Sequence, residues 1–293
     1  MNFNTKGTGV ALVTPFDKRG NVDFSALGRL IDHCINGGID YLVCLGTTSE
    51  YPTLTEKESF AVRDYIVEYV DKRVPIVLGV GGNNTKELVT RINHTDLSGF
   101  AAILSVSPYY NKPSQKGLYT HYNYIAAASP LPVIIYNVPG RTGVNISAET
   151  TLKLAEDFKN IVAVKEASGN MLQCMEILRC KPDRFSLISG EDALTYPLIA
   201  CGANGVISVT ANAYPNMVST MVNQALKGNN NKALVLHNTL LPFTNAIFEE
   251  GNPSGVKAAL ESMGICDNIV RLPLSNVSRA LYNRLQSYVK EHK

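Results

Sequence analysis

The sequence predicts an α/β chain folded as a (β/α)8 TIM barrel with a small C-terminal helical domain. Three observations carry that expectation. Short β-branched runs alternate with longer amphipathic stretches from residue 8 to about residue 226, the pattern of parallel strands joined by crossover helices. The runs number eight and recur about every 28 residues, and eight such units close a barrel. After Leu226 the strand signals stop and helical patterns alone continue.

The predicted strands are Thr8–Val13, Asp40–Cys44, Pro75–Gly79, Ala101–Ser105, Pro132–Tyr136, Ile161–Glu166, Phe185–Ser189 and Gly205–Ser208. Each is short, apolar and bounded by Gly, Pro, Asn or Ser. Between them, Asp23–Asn36, Thr55–Val70 and Thr85–Ser98 have helical spacing. Thr55 and Glu58 form a capping box, and Ser147 with Thr150 forms half of one. Gly228-Asn229-Asn230-Asn231 reads as a helix stop and linker. Helices are expected beyond it at Lys232–Phe248, Ser254–Met263 and Ser275–Lys290, with Pro253 and Pro273 ahead of the last two. The expected organisation is a barrel over residues 1–226 and a helical domain over 227–293. An open doubly wound sheet is the alternative, but its dinucleotide fingerprint fails: Asn84 stands where Gly79-Val80-Gly81-Gly82-Asn83-Asn84 needs its third glycine.

Composition narrows the function. The 293 residues carry 27 Lys+Arg against 25 Asp+Glu, so the basic excess that phosphate backbones demand is missing and no nucleic-acid partner is expected. The apolar fraction of 45% is that of a globular chain. Met1–Lys6 has no apolar core of a signal peptide, and the apolar stretch Ile125–Tyr136 is interrupted by Pro130 and Pro132 and falls short of the roughly 20 residues of a membrane span. Cys34, Cys44, Cys174, Cys180, Cys201 and Cys266 form no C-x-x-C pair and are expected as free, mostly buried thiols. The expected location is the cytoplasm. Five histidines lie in helical patterns or the tail without a metal-ligand spacing, so no metal is expected.

A barrel of this kind carries its chemistry at the C-terminal ends of its strands. Polar residues gather there: Thr47, Thr48, Ser49 and Glu50 after the second strand, Tyr109 and Tyr110 after the fourth, Tyr136 to Thr142 after the fifth, Lys165 on the sixth, and Gly190-Glu191-Asp192 after the seventh. In Ile161–Glu166 the period-2 rule sets Lys165 on the face of Ala163 and Ile161. An amine confined in an apolar barrel is disfavoured as its cation and becomes a nucleophile towards a ketone. The alternative is a strand-end lysine that reaches out to solvent. Tyr110 and Tyr136 suit a proton relay if other hydroxyls position them, or core positions with one wet end. Arg141 offers a planar fork for a carboxylate, or is simply a surface arginine.

Taken together, these residues resemble the dihydrodipicolinate synthase/N-acetylneuraminate lyase group of Schiff-base aldolases and lyases. The resemblance covers essentially the whole chain. It is carried by Gly9–Phe16, by the Gly-Thr-Thr-x-Glu turn at Gly46–Glu50, by Tyr-Asn-x-Pro-Gly-Arg-Thr at Tyr136–Thr142, and by Val-Lys-Glu-Ala-Ser at Val164–Ser168. The double threonine Thr47-Thr48 and the arginine of Pro139–Thr142 resemble the synthase side of the group more than the lyase or other keto-acid aldolase side. Ser49 stands where glycine is common, and Glu191 where aspartate is usual.

The resemblance implies an enzyme of the lyase class on the diaminopimelate route to lysine. Lys165 would form a covalent imine with pyruvate, with no cofactor, and the derived enamine would attack L-aspartate 4-semialdehyde. It further implies a proton relay of Tyr136, Thr47 and Tyr110, the last donated across a dimer interface of a homotetramer. Thr48 would hold the pyruvate carboxylate, Arg141 the semialdehyde carboxylate, and Gly190 and Ile207 would shape the pocket. Lysine-sensitive members hold the amino-acid head group with an asparagine, a glutamate and a tyrosine, matched here by Asn83, Glu87 and Tyr109. At the far end of that pocket the chain departs from the pattern: Glu56 stands where a histidine is usual, and its carboxylate would pair with the side-chain ammonium of bound lysine. Asn83 and Glu87, four apart, are expected to share a helix face.

Overall fold

The computed structural model describes residues 3–292. Its strands are β1 (Gly7–Ala11), β2 (Tyr41–Cys44), β3 (Ile76–Gly79), β4 (Ala102–Val106), β5 (Val133–Asn137), β6 (Ile161–Glu166), β7 (Ser186–Ser189) and β8 (Gly205–Ser208). They follow one another in chain order around a closed barrel. The registered neighbours are parallel, from Gly9 opposite Tyr41 to Ser189 opposite Val206. The fold class expected from the sequence is the one observed. Parallel strands are covered on both faces and so read as continuous apolar runs, not alternating ones; β2 and β5 are buried at every residue.

The helices are α1 (Phe24–Asn36), α2 (Glu56–Val70), α3 (Thr85–His94), α4 (Gln115–Ala128), α5 (Pro139–Thr142), α6 (Ala148–Asp157), α7 (Met171–Cys180), α8 (Thr195–Ala200), α9 (Pro215–Leu226), α10 (Asn230–Glu249), α11 (Ser254–Ser262) and α12 (Arg279–Glu291). The Thr55 capping box forms as expected: Thr55 accepts the Glu58 N–H, and the Glu58 carboxylate accepts the Thr55 N–H at 2.9 Å. Three helix boundaries differ from expectation by two residues or more. α3 stops at His94, because the Thr95 hydroxyl donates to the Arg91 carbonyl at 2.7 Å and Asp96 then captures the Ser98 N–H. α10 begins at Asn230, inside the expected linker, since Gly228 at φ +76 has already ended α9. α12 begins at Arg279, where Ser278 caps the Leu281 N–H.

The chain forms two compact units. The first comprises Met1–Gly7 and Ile76–Ile207, with β3 to β7 and α3 to α8. Gly205 at φ +153 opens its last strand, and a Cβ there would collide with the Gly7 carbonyl, so glycine is required. The second comprises Thr8–Pro75 and Ser208–Lys293. It therefore holds α1, α2 and β2 together with α9 to α12. Its core includes Phe16, Tyr41 and Phe243, and α11 is buried along Ser254–Leu260, Lys257 included. Among the described residues no helix is long and apolar enough to cross a membrane. Cys34, Cys44, Cys174 and Cys266 are buried free thiols, while Cys180 and Cys201 are exposed.

Candidate active site

In the first unit, β5 and β6 pair with Tyr136 opposite Lys165 and Asn137 opposite Glu166. Side chains alternate along a strand, so the first pair shares one face and the second pair the other. Lys165 is 5% exposed and Tyr136 7% exposed, and the lysine Nζ lies 4.3 Å from the centre of the tyrosine ring. A π face stabilises a cation without a proton acceptor or covalent partner. The Nζ is held against the ring and makes no hydrogen bond or ion pair among the described residues.

The opposite face explains why these strand ends are rigid. Glu166 is buried, and its carboxylate accepts from Asn137 Nδ2 at 3.1 Å, Gln173 Nε2 at 2.9 Å and the Ser168 N–H at 2.9 Å. Asn137 also bonds Asn145 Oδ1 at 2.7 Å and accepts the Ile146 N–H at 3.0 Å. A buried carboxylate with three donors is fully occupied. The network ties β5, β6 and α7 behind the Tyr136–Lys165 pair. Sequence reasoning missed it; Asn137 and Glu166 each directly follow a flagged residue, which is the signal that alternation offers.

Gly190 follows β7, and its N–H donates to the Glu166 carbonyl at 2.8 Å. A Cβ on Gly190 would stand 2.8 Å from Ala167 Cβ and 3.0 Å from both Cγ and Cε of Lys165. The glycine therefore makes room for the lysine stem. Ile207 is buried on β8. Glu191 is half-buried; burial pushes its carboxyl up, as does Asp192, while the charges of Lys165 and Arg141 pull it down. Arg141 lies on α5, a single turn closed by Gly143 at φ +74. Its guanidinium is exposed, with no salt bridge among the described residues.

Tyr110 is 89% exposed and sits at φ +74. A non-glycine residue in that region is strained, which marks a constrained turn. Asn83 Nδ2 donates to the neighbouring Tyr109 carbonyl at 3.4 Å. The shared helix face expected for Asn83 and Glu87 does not exist. Asn84 is the N-cap of α3 with extended backbone, so Asn83 precedes the helix, and Glu87 pairs with Arg91 at 2.9 Å.

In the second unit, Thr47–Ser49 forms a tight turn after β2, with Thr48 2% exposed. Leu45 at φ +53 and Glu50 at φ +57 bracket it. Glu50 is wholly buried and takes Lys257 Nζ at 2.5 Å and the Arg271 N–H at 2.8 Å. Lys257 also donates to the Ile269 carbonyl at 2.7 Å and lies 4.2 Å over the Phe16 ring. Burial draws its ammonium below the usual lysine range against the pull of Glu50. Asn252 Nδ2 donates to Thr48 Oγ1 at 3.0 Å. Sequence reasoning missed Asn252 and Lys257 as well. A lone lysine inside the small, apolar run of α11 was the available signal. Glu56 is exposed at the first position of α2.

Three comparisons place the chain among known proteins. The model of the dihydrodipicolinate synthetase family matches residues 4–292. The chain is 49% identical over 290 residues to a 4-hydroxy-tetrahydrodipicolinate synthase of Parabacteroides distasonis, covering 99% of this chain and 98% of that one. It is similar, at a TM-score of 0.94 and 39% identity over 98% of both chains, to a chloride-inhibited dihydrodipicolinate synthase of Acinetobacter baumannii solved with pyruvate. A dihydrodipicolinate synthase of Cyanidioschyzon merolae solved with lysine superposes at 0.93, with 37% identity over 97% of both chains.

Proposed function

The chain belongs to the dihydrodipicolinate synthetase family, and from that premise we propose that it condenses pyruvate with L-aspartate 4-semialdehyde, the activity of a 4-hydroxy-tetrahydrodipicolinate synthase. It is an enzyme of the lyase class. The observation that carries the reading is the buried Lys165 amine, held over the Tyr136 ring and fixed from behind by the Glu166 network.

The Lys165 nitrogen adds to the pyruvate ketone, and loss of water leaves an imine. Loss of a methyl proton converts this to an enamine. Its terminal carbon attacks the aldehyde, forming the new C–C bond, and the alkoxide takes a proton. The amino group of the second substrate then adds to the imine carbon, the lysine leaves, and the ring is closed. The imine does the work of an electron sink, so no cofactor enters. Tyr136 stands beside the amine, as proton transfer at an imine nitrogen requires. The resemblance assigns Thr47 and Tyr110 to the same relay, Thr48 to the pyruvate carboxylate, Arg141 to the semialdehyde carboxylate, and Gly190 and Ile207 to the pocket wall. The strained, exposed Tyr110 suits a residue that serves a neighbouring subunit of a homotetramer. Lysine is the feedback ligand of this reading: Asn83 and Tyr109 are joined by a hydrogen bond, and Glu87 and Glu56 supply carboxylates for ammonium groups. The reading carries with it the cytoplasmic location expected from the sequence.

The test is borohydride trapping in the presence of pyruvate, with peptide mapping. A single adduct on Lys165 is expected, together with turnover of pyruvate and the semialdehyde and none of N-acetylneuraminate. An adduct elsewhere, or cleavage of N-acetylneuraminate instead, refutes it.

A further inference from the structure

Thr48 is a buried hydroxyl with half of its hydrogen bonding spent. Its oxygen accepts the Asn252 amide at 3.0 Å, while its own hydrogen meets no acceptor among the described residues. A hydroxyl has one hydrogen to give and two lone pairs to fill. With Asn252 occupying a lone pair, the proton is turned away from the amide and left to a group that the chain does not supply. Buried donors are seldom left unmade, so this one is built for an acceptor that arrives from outside. Asn252 is itself 7% exposed, and its Oδ1 has no hydrogen-bond partner among the described residues. The amide therefore acts here as a donor alone.

We propose that Asn252 is a positioning residue for substrate capture: by donating to Thr48 Oγ1, it makes Thr48 a dedicated donor to the pyruvate carboxylate. The inference deepens the proposed function and rests on its assignment of Thr48 to that carboxylate. Asn252 touches no substrate and acts only through Thr48. The placement is supported a few residues further on, where Lys257 grips Glu50 at the other end of the same turn. The segment Asn252–Lys257 thus holds Thr47–Glu50 at two points. A helical region far along the chain sets the direction of one proton.

The test is a double-mutant cycle read as the KM for pyruvate, with kcat at saturating pyruvate and the unfolding midpoint measured beside it. Thr48→Val is expected to raise this KM about tenfold or more, as loss of a hydrogen bond to a charged group does. Asn252→Ala is expected to raise it about threefold to tenfold, with kcat within about twofold. Combined with Thr48→Val it should add nothing further, because both remove one interaction. Asn252→Asp keeps the shape of the side chain but can only accept; it draws the Thr48 hydrogen back and should raise KM at least as much as Asn252→Ala. If Thr48→Val leaves KM unchanged, the assignment of Thr48 fails and the inference falls with it. If Thr48→Val raises KM but Asn252→Ala or Asn252→Asp does not, or the effects add, the inference alone is overturned. Should Asn252→Ala fold poorly, the isosteric Asn252→Asp and its cycle with Thr48→Val give the same decision.

Discussion

Replacing Lys257 by methionine tests whether a buried ion pair supports the Thr47–Glu50 turn. Both side chains of the pair are fully buried, with Nζ 2.5 Å from Glu50 Oε1. Methionine fills similar space but removes three interactions: the pair, the donor to the Ile269 carbonyl and the cation over Phe16. Among the described residues, the Glu50 carboxylate would then keep only the Arg271 N–H. Removing one partner of a buried pair costs about 3–5 kcal/mol, because the remaining charge has neither water nor a counter-ion. A chain of this size loses roughly 2–4 °C of Tm per kcal/mol, so the variant should melt roughly 10 °C lower. The double variant Lys257→Met/Glu50→Gln no longer leaves a charge stranded and should regain part of that loss. Thermal unfolding followed by circular dichroism measures both. A Tm for Lys257→Met within 2 °C of wild type, by way of a rough threshold, would refute the reasoning, as would a double variant less stable than Lys257→Met.

Other expected outcomes follow from the same geometry. Arg141→Ala should raise the KM for the semialdehyde about tenfold or more, leave borohydride trapping of pyruvate intact, and leave Tm unchanged, since the guanidinium is exposed; equal loss of trapping would sink the assigned role. Gly190→Ala puts a methyl group 3.0 Å from the Lys165 stem and 2.8 Å from Ala167 Cβ, so imine formation should slow on the order of tenfold to a hundredfold and Tm should fall as overpacking forces a shift; an unchanged trapping rate contradicts this. Burial lowers the His121 imidazole to about 4 from 6.5. The unfolded chain therefore takes up the proton first, and stability should fall by up to about 3 kcal/mol as pH drops from 6.5 to 4. Glu58, held at about 2 chiefly by Arg271, keeps stability above pH 4.5 and adds a further loss as pH falls towards 2; His121→Gln should flatten the first part of a Tm–pH profile and Glu58→Gln the second. Mixing Tyr110→Phe with Lys165→Ala subunits should restore part of the activity if Tyr110 serves a neighbour, whereas no recovery after proven exchange would place each site within one subunit.

The barrel is legible in the sequence because strand period and burial are local properties. Eight apolar runs, each too short for a helix and punctuated by turn residues, admit few arrangements other than parallel strands with crossovers. Lys165 is legible for the same reason: a lone cation in a run of valine and alanine contradicts its surroundings, and such contradictions gather where chemistry is done. Helix ends are less so. α3 ends at His94 through the Thr95 and Asp96 side chains, which the apolar periodicity running to Ser98 does not register. The face imagined for Asn83 and Glu87 failed because one N-cap residue decides where helical spacing begins.

Local pattern, then, determined by itself the barrel, the strand-end position of Lys165 and the capping of α2. The tertiary structure alone decided which distant residues meet. Nothing in the chain near Thr48 announces Asn252, and nothing near Glu50 announces Lys257, some two hundred residues away in each case. A buried hydroxyl or carboxylate needs a partner, but its chemistry names only the kind of partner required; the folding of the chain through space selects the individual residue.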